Sequence, residues 1–114
     1  MEDDVRIIYN KLKEVARNQE ITNYSDVGNL IGLDMDTEYG RIRIAQILDD
    51  INIYENEKDR PMLSSVVILK NGDRPGLGYF KCARGLGKYQ GGDDLTFFLE
   101  EVKKVYKIWS QIKE

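Results

Sequence analysis

The sequence predicts an α+β fold of the winged-helix type, with a long helix towards its carboxyl end. The first observation behind this prediction is the order of patterns, in which an amphipathic helix and a short strand precede two closely spaced helices. The second is an apolar run followed by a turn and another apolar run, which is typical of a β-hairpin. The third is a sustained helical stripe of apolar residues near the end of the chain.

Composition predicts one globular domain, residues 1–114, because 41% of the 114 residues are hydrophobic and 32% are charged. No apolar stretch approaches the roughly 20 residues of a membrane-spanning helix. The acidic start of the chain and its single cysteine, Cys82, predict a cytoplasmic location. The formal net charge of −3 argues against indiscriminate nucleic-acid binding, although a local basic surface is compatible with it.

The first predicted helix begins at Asp3 or Asp4, either of which can cap it, and reaches about Arg17. Its apolar residues recur every three or four positions and form one stripe that faces the core. These residues are Val5, Ile8, Leu12 and Val15. A short edge strand is predicted next, at residues 20–22.

Two helices are predicted between residues 23 and 56. Asn23 or Ser25 caps the shorter one, which turns Val27, Leu30 and Ile31 inward and ends at Gly32. Asp36 or Thr37 begins the longer one, whose core residues are Ile44, Ile47, Leu48 and Ile51. Its exposed face is expected to begin with arginines and to end with acids, and these acids are Asp49, Asp50, Glu55 and Glu57. That order opposes the helix dipole, which suggests that the arginines serve a purpose other than helix stability.

The predicted wing is a hairpin formed by the apolar runs 62–69 and 77–80. Turn signals, Asn71-Gly72 and Pro75-Gly76, lie between the two runs. A short helix over about residues 79–86 is expected to follow the hairpin.

The last predicted helix is capped by Asp93 or Asp94 and runs to about Ile112. Its apolar stripe consists of Leu95, Phe98, Leu99, Val102, Val105, Trp109 and Ile112, with Tyr106 beside it. Two interpretations of this wide stripe remain open. The helix packs on the first helix within one chain, or part of the stripe lies against a second copy in a homodimer.

The residues around the second helix resemble the helix-turn-helix entry of the alkylguanine-DNA alkyltransferases and alkyltransferase-like proteins. In both, a tyrosine (here Tyr24) leads a small helix that contains a Val-Gly pair (Val27-Gly28) and ends on a glycine (Gly32). The resemblance covers about half the chain. It continues through an early arginine and a late asparagine, Asn52, in the next helix, then a proline-led run that ends in paired valines, and the glycine of the following turn. The chain as a whole also resembles small proteins of bacterial genomes and mobile elements.

The chemical motif of that family is missing. When the paired valines are aligned, Leu63 occupies the position of the alkyl-accepting cysteine, and Ser64 and Ser65 occupy those of its histidine and arginine. The resemblance therefore implies a winged helix that binds DNA without transferring alkyl groups. It also implies that Tyr24 and one of two arginines, Arg41 or Arg43, lie near the phosphates or the base stack.

The candidate DNA-binding residues fall into three groups. Arg41, Arg43 and Gln46 on the recognition helix are residue types that hydrogen-bond base edges or phosphates. Ser25, near a helix start, can offer its hydroxyl and backbone N–H groups to a phosphate. The expected wing tip adds a last group to the contact surface: Lys70, Asn71 and Arg74. The alternative interpretation of all these residues is an ordinary solvated surface.

No catalytic, metal or cofactor site is predicted. Cys82 has no histidine to act as its base, so a structural thiol is expected. The acidic pairs 49–50 and 93–94 could supply oxygen ligands to a metal, but the second pair fits a helix cap better. The glycines at positions 76, 78, 85 and 87 lack the spacing of a phosphate-binding loop and are assigned to turns.

The sequence therefore predicts a non-enzymatic protein that binds duplex DNA, such as a small regulator or accessory factor. The alternative is a protein-interaction module on the same fold. Its contact surface would be the acidic end of the third helix, residues 49–59, and the aromatic face of the last helix.

Overall fold

The computed structural model describes all residues, Met1–Glu114, and contains five α-helices and one pair of two-residue β-strands. The helices are α1 (Asp3–Arg17), α2 (Tyr24–Asn29), α3 (Glu38–Glu57), α4 (Leu77–Gly85) and α5 (Asp94–Trp109). The strands are β1 (Thr22–Asn23) and β2 (Val67–Ile68), and a short 3-10 helix at Leu63–Val66 precedes β2.

The predicted winged-helix fold class is wrong, because the structure has no β-hairpin wing. Strand β2 pairs with β1, not with residues 77–80, and the two strands are parallel, with Thr22 opposite Val67 and Asn23 opposite Ile68. The second apolar run, expected to be a strand, forms the first turn of α4. The protein is mostly helical, and its small β-pair joins segments that are distant in the sequence.

The apolar run before β2 is not a strand because side chains, rather than a neighbouring strand, bind its backbone. The Met62 amide donates to Glu101 Oε2 at 3.0 Å, and the Ser64 amide donates to Asn52 Oδ1 at 3.2 Å. Leu63 and Ser65 are also fully buried. A buried backbone needs such partners, and α3 and α5 supply them here.

Helix α4 forms because the apolar residues of its segment have helical spacing. Tyr79, Phe80 and Ala83 are buried on one side of α4 and pack in a second core cluster with Phe98 and Val102 of α5. Gly76 precedes the helix in an extended conformation, which ends the loop that the turn signals marked. The expected short helix therefore exists, but it begins earlier than predicted.

The main core confirms the predicted apolar stripes of α1 and α3. It is a cluster of 17 buried residues that contains Val5, Ile8, Leu12 and Val15, and also Ile44, Ile47, Leu48 and Ile51. Glu55 was expected on the exposed face of α3 but is fully buried, where its carboxylate accepts from Arg60 Nε at 2.5 Å. A buried carboxylate requires such a partner.

Three helix starts have side-chain caps that were among the predicted alternatives. Asn23 accepts from the Asp26 amide, Thr37 from the Gly40 amide, and Asp93 from the Thr96 amide. Helix α1 differs, because Glu2 is at its cap position and gives no side-chain bond.

The end of α2 agrees with the prediction only in part. Gly32 has a positive φ of 74°, which is the conformation expected of a glycine after a helix. Leu30 was expected to turn inward, but 46% of it is exposed.

Helix α5 places Trp109 in the core of a single chain. Trp109 is 1% exposed and contacts Tyr9 of α1 edge-to-face, with ring centroids 6.3 Å apart. Packing on α1 within one chain, one of the two interpretations of this helix, therefore accounts for Val105 and Trp109, whereas Phe98 and Val102 pack against α4. Leu99 alone among the large apolar residues of α5 is markedly exposed. None of the five helices combines the length and apolarity needed to cross a bilayer.

Candidate functional site

A cavity of about 470 Å³ lies between α2, α3 and the loop that joins β2 to α4. Ligand pockets in proteins commonly have volumes of about 300–1,000 Å³. Fifteen residues line this cavity: Tyr24, Ser25, Met35, Arg41, Ile44, Ala45, Leu48, Asp49, Asn52, Ser64, Leu69, Lys70, Gly76, Gly78 and Tyr79.

One face of α3 forms the longest wall of the cavity. Its lining residues follow the spacing i, i+3, i+4, i+7, i+8 and i+11 from Arg41 to Asn52, which is one stripe of an α-helix. Within this stripe Ile44 and Leu48 give the wall an apolar surface, and Ala45 has no side chain beyond Cβ to fill the space. The sequence of α3 thus produces a groove with Arg41 at one end and with Asp49 and Asn52 towards the other.

Tyr24 closes the cavity on the opposite side. Its hydroxyl accepts a hydrogen bond from the Gly76 amide at 2.9 Å, which ties the start of α2 to the loop before α4. Burial is the main cause that raises the pKa of Tyr24 above its ordinary value, and the charge of Asp49 adds to it. Tyr24 is therefore a neutral hydroxyl at physiological pH, and its own proton is free to donate into the cavity.

The inner part of the cavity has a fixed polar corner. Asn52, which is 1% exposed, accepts from the Ser64 amide and donates to the Ser64 hydroxyl at 2.7 Å. Behind this corner, the hydroxyls of Ser65 and Tyr79 are 2.6 Å apart. Each polar group has a protein partner, so the corner is rigid and already in place before any ligand arrives.

A carboxyl and a thiol lie next to this corner. Loss of water around Asp49 raises the pKa of its carboxyl, although the residue as a whole is exposed at the cavity edge. Burial, followed by the charge of Asp49, raises the pKa of the half-buried Cys82 thiol to about 11. Cys82 is thus a protonated thiol at neutral pH, which supports the expectation of a structural residue.

The structure brings four of the predicted DNA-binding residues together. Tyr24 and Ser25 of α2, Arg41 of α3 and Lys70 after β2 all line the cavity. Arg41 donates to the Met35 carbonyl at 3.1 Å, which holds the guanidinium near the start of α3. These four residues come from three segments that only the fold places side by side.

The other four predicted residues lie outside the cavity. Arg43 points to the start of α1, where it forms ion pairs with Glu2 and Asp4. Gln46 is exposed beside the cavity stripe of α3, and Asn71 is exposed in a left-handed turn conformation, with φ of 63°. Arg74 pairs with its neighbour Asp73 at 2.9 Å. Without a wing, the residues assigned to its tip do not form one surface with α3.

Sequence reasoning missed the inner residues of the site. Asn52 was noticed only through the resemblance, Asp49 only as one of the acids at the end of the third helix, and Ser64 only as a substitute for a catalytic residue. The available signal was the spacing of Arg41, Ala45, Asp49 and Asn52, which places polar residues and one alanine on a single face of α3. An asparagine at a core-facing helix position is a further signal, since buried polar groups need partners.

No protein family, curated protein or solved structure matches the chain. The resemblance to the alkyltransferase family therefore stays a prediction from a few residues.

Proposed function

We propose that the protein binds duplex DNA without catalysing a reaction and contacts it through the rim of the cavity. The observation that carries this proposal is the convergence of Arg41, Lys70 and the hydroxyl residues Tyr24 and Ser25 on one opening. Arginine and lysine supply the ion contacts to phosphates that dominate DNA affinity. Hydroxyl groups add hydrogen bonds that fix the position of the backbone.

The charge of the chain restricts how such a surface would work. A net charge of −3 provides no general attraction to DNA, so affinity depends on the few exposed cations at the rim. Arg43 contributes little, because Glu2 and Asp4 already neutralise it. The contact surface is therefore small, and we expect weak binding that salt readily removes.

Fluorescence polarisation with a random duplex tests this proposal. Replacing Arg41 and Lys70 together with alanine should abolish most of the affinity at about 50 mM salt. Each phosphate contact contributes roughly 0.9 to the slope of log K against log salt concentration. The double variant should therefore reduce that slope by about 1.8.

A matched control removes two cations that lie outside the cavity, Arg43 and Lys103. This variant has the same net charge as the test variant, so a general loss of attraction would weaken both equally. If the two variants bind DNA equally, or if the parent shows no affinity at about 50 mM salt, the proposal is wrong.

A second candidate function is binding of a protein partner through the outward face of α3. Tyr39 is 71% exposed, Ile42 is 51% exposed and Ile53 is 45% exposed, and their spacing places them on one side of the helix. Exposed Asp50 and Glu57 flank this side, which keeps the acidic end of α3 in the predicted surface. The aromatic residues of α5 do not belong to it, because Phe98 and Trp109 are buried.

A pull-down from cell extract separates this candidate from the first. A partner that uses this face should be retained by the parent and lost by a variant with Tyr39→Ser and Ile42→Ser. Leu77→Ser is the matched control, because Leu77 is equally apolar and 85% exposed on α4. Equal retention of every protein by the two variants would contradict the assignment of this face.

A further inference from the structure

We propose that the cavity is a binding site for a small amphoteric molecule, with an apolar body, an amine-like group at one end and an anionic group at the other. The proposal concerns a free ligand and does not depend on DNA binding. It follows from the volume of the cavity, its apolar walls, its unused hydrogen-bonding groups and the separation of its charges.

The apolar body is required by the walls of the cavity. Ile44 and Leu48 of α3 face Leu69 and the ring of Tyr79 across a space of about 470 Å³ that no side chain of the protein fills. A space of this size accepts a molecule with one ring or a short aliphatic chain. Displacing water from such walls favours binding in proportion to the apolar area covered.

The amine-like group is required by Asp49. Asp49 lines the cavity, and its carboxyl has lost part of its hydration, which a hydrogen bond with the Cys82 thiol and the charge of Lys81 offset only in part. A ligand ammonium at this end would add a charge-assisted hydrogen bond, which is stronger than the bond that the neutral Cys82 thiol supplies.

The anionic group is required by Arg41 at the other end of the same helical stripe. Arg41 precedes Asp49 by two turns of α3, which is about 12 Å along the helix axis. One guanidinium nitrogen, Nη1, donates to the Met35 carbonyl, so other N–H groups of Arg41 remain to bind an anion. A ligand that reaches both residues therefore carries its two charges at opposite ends of an elongated body.

Two hydroxyl groups of the cavity lining, those of Tyr24 and Ser64, add hydrogen-bonding capacity. Tyr24 and Ser64 each accept a hydrogen bond from the protein, from the Gly76 amide and from Asn52 respectively, and neither donates to a protein group. Both protons are therefore available to an acceptor on the ligand. Because Asn52 and Gly76 hold these hydroxyls in place, the ligand does not have to order them on binding.

The test uses three small probes with the full chain in the absence of DNA. The probe 4-(aminomethyl)benzoate carries both charged groups, 4-methylbenzoate lacks the amine, and benzylamine lacks the carboxylate. Isothermal titration calorimetry should give at least about tenfold tighter binding of the first probe than of either single-charge probe. Backbone amide shifts in NMR spectra should change around α2, α3 and the loop before α4.

Two variants assign the ends of the ligand. Asp49→Asn should remove the advantage of 4-(aminomethyl)benzoate over 4-methylbenzoate, and Arg41→Gln should remove its advantage over benzylamine. The matched controls are Asp50→Asn and Arg43→Gln, which change the same charges on α3 outside the cavity. All four variants alter surface or rim side chains, and circular dichroism melting verifies that they fold.

The proposal is overturned by equal binding of the three probes, by absence of saturable binding of 4-(aminomethyl)benzoate, or by shifts confined to other surfaces. It is also overturned if Asp49→Asn and Asp50→Asn behave alike. Failure of DNA binding in the polarisation experiment would leave these results unaffected. The two proposals therefore fail separately.

Discussion

Individual buried polar side chains decide the path of the chain through the least regular part of the fold. Asn52 from α3 and Glu101 from α5 bind the backbone of the segment that leads into β2. Such groups are costly to bury without partners, and each gains one here. The 3-10 helix at Leu63–Val66 is therefore held by side chains that come from two different helices.

Replacement of Asn52 measures this contribution. We expect Asn52→Leu to lower the free energy of unfolding by about 1–3 kcal/mol, because the Ser64 amide and hydroxyl lose their partner in a buried site. Urea denaturation followed by circular dichroism gives the value. Gln46→Leu on the exposed side of α3 is the control, and its effect should remain within about 0.5 kcal/mol. Equal stability of the two variants would show that the polar corner is not structural.

The reactivity of Cys82 tests the electrostatics of the cavity. The pKa of its thiol is about 11, so alkylation by iodoacetamide should be slow at neutral pH and rise about tenfold per pH unit through pH 9. Asp49→Asn should lower this pKa, because the negative charge that opposes the thiolate is removed. Mass spectrometry of quenched samples gives the rates. A profile that Asp49→Asn leaves unchanged, or shifts no more than Asp50→Asn does, would contradict the assigned cause.

At the scale of elements, periodicity predicted the long helices and failed for the wing. The stripes of α1, α3 and α5 extend over several turns, and sustained stripes of this kind identify amphipathic helices well. The run at residues 62–69 is too short for periodicity to separate a strand from a buried irregular segment. The strand that pairs with β2 is β1, and nothing in the local sequence marks that distant partner.

The turn signals before α4 were real but ambiguous. Asn71 adopts a left-handed conformation, and the Gly72 amide donates to the Leu69 carbonyl at 2.9 Å, so a tight turn does form. The same residues can lead into a strand or into a helix. The cavity could be predicted only in part for a similar reason. The sequence places Arg41 on a helix, but it does not show that Lys70 lines the same cavity.

Gly40 shows how one position fixes the start of α3. A Cβ atom at Gly40 would collide with the backbone carbonyl of Asp34, which the incoming turn brings against the helix. Gly40→Ala should therefore destabilise the protein, although alanine in a helix normally improves stability by about 1 kcal/mol over glycine. Gly85→Ala in α4 is the matched control, since its Cβ would meet nothing within 4 Å. Thermal melts that show a gain for both variants would contradict this account of the turn.

At the scale of the whole molecule, the side chain of Trp109 lies where α1, α5 and the loop after α3 meet. Trp109 packs in the main core, and the guanidinium groups of Arg17 and Arg60 lie 5.3 and 5.0 Å from its ring centre. Arg60 also pairs with Glu55 and with Glu114, whose Oε2 accepts at 2.7 Å. Loss of the indole would therefore open a cavity and disturb an ion network at once.

We expect Trp109→Ala to cost about 3–5 kcal/mol of folding free energy without any dependence on protein concentration. Denaturation at two concentrations that differ a hundredfold measures both properties. Leu99→Ala, at the exposed position of α5, is the control for a surface change on the same helix. A destabilisation that disappears at high concentration would instead indicate that Trp109 lies at a homodimer interface, which is the second interpretation of the apolar stripe of α5.

The bond between the Tyr24 hydroxyl and the Gly76 amide also has a consequence for the order of folding. It joins residues 52 positions apart, as the β-pair joins segments of similar separation, whereas the hydrogen bonds within α1, α3 and α5 are local. Local helices form early, and distant segments meet late because closing a long loop costs entropy. The cavity is therefore completed late in folding, when most of the helices already exist. Since each strand of the β-pair has only two residues, the Gly76 amide should exchange with deuterium through local opening, long before the core amides of α3.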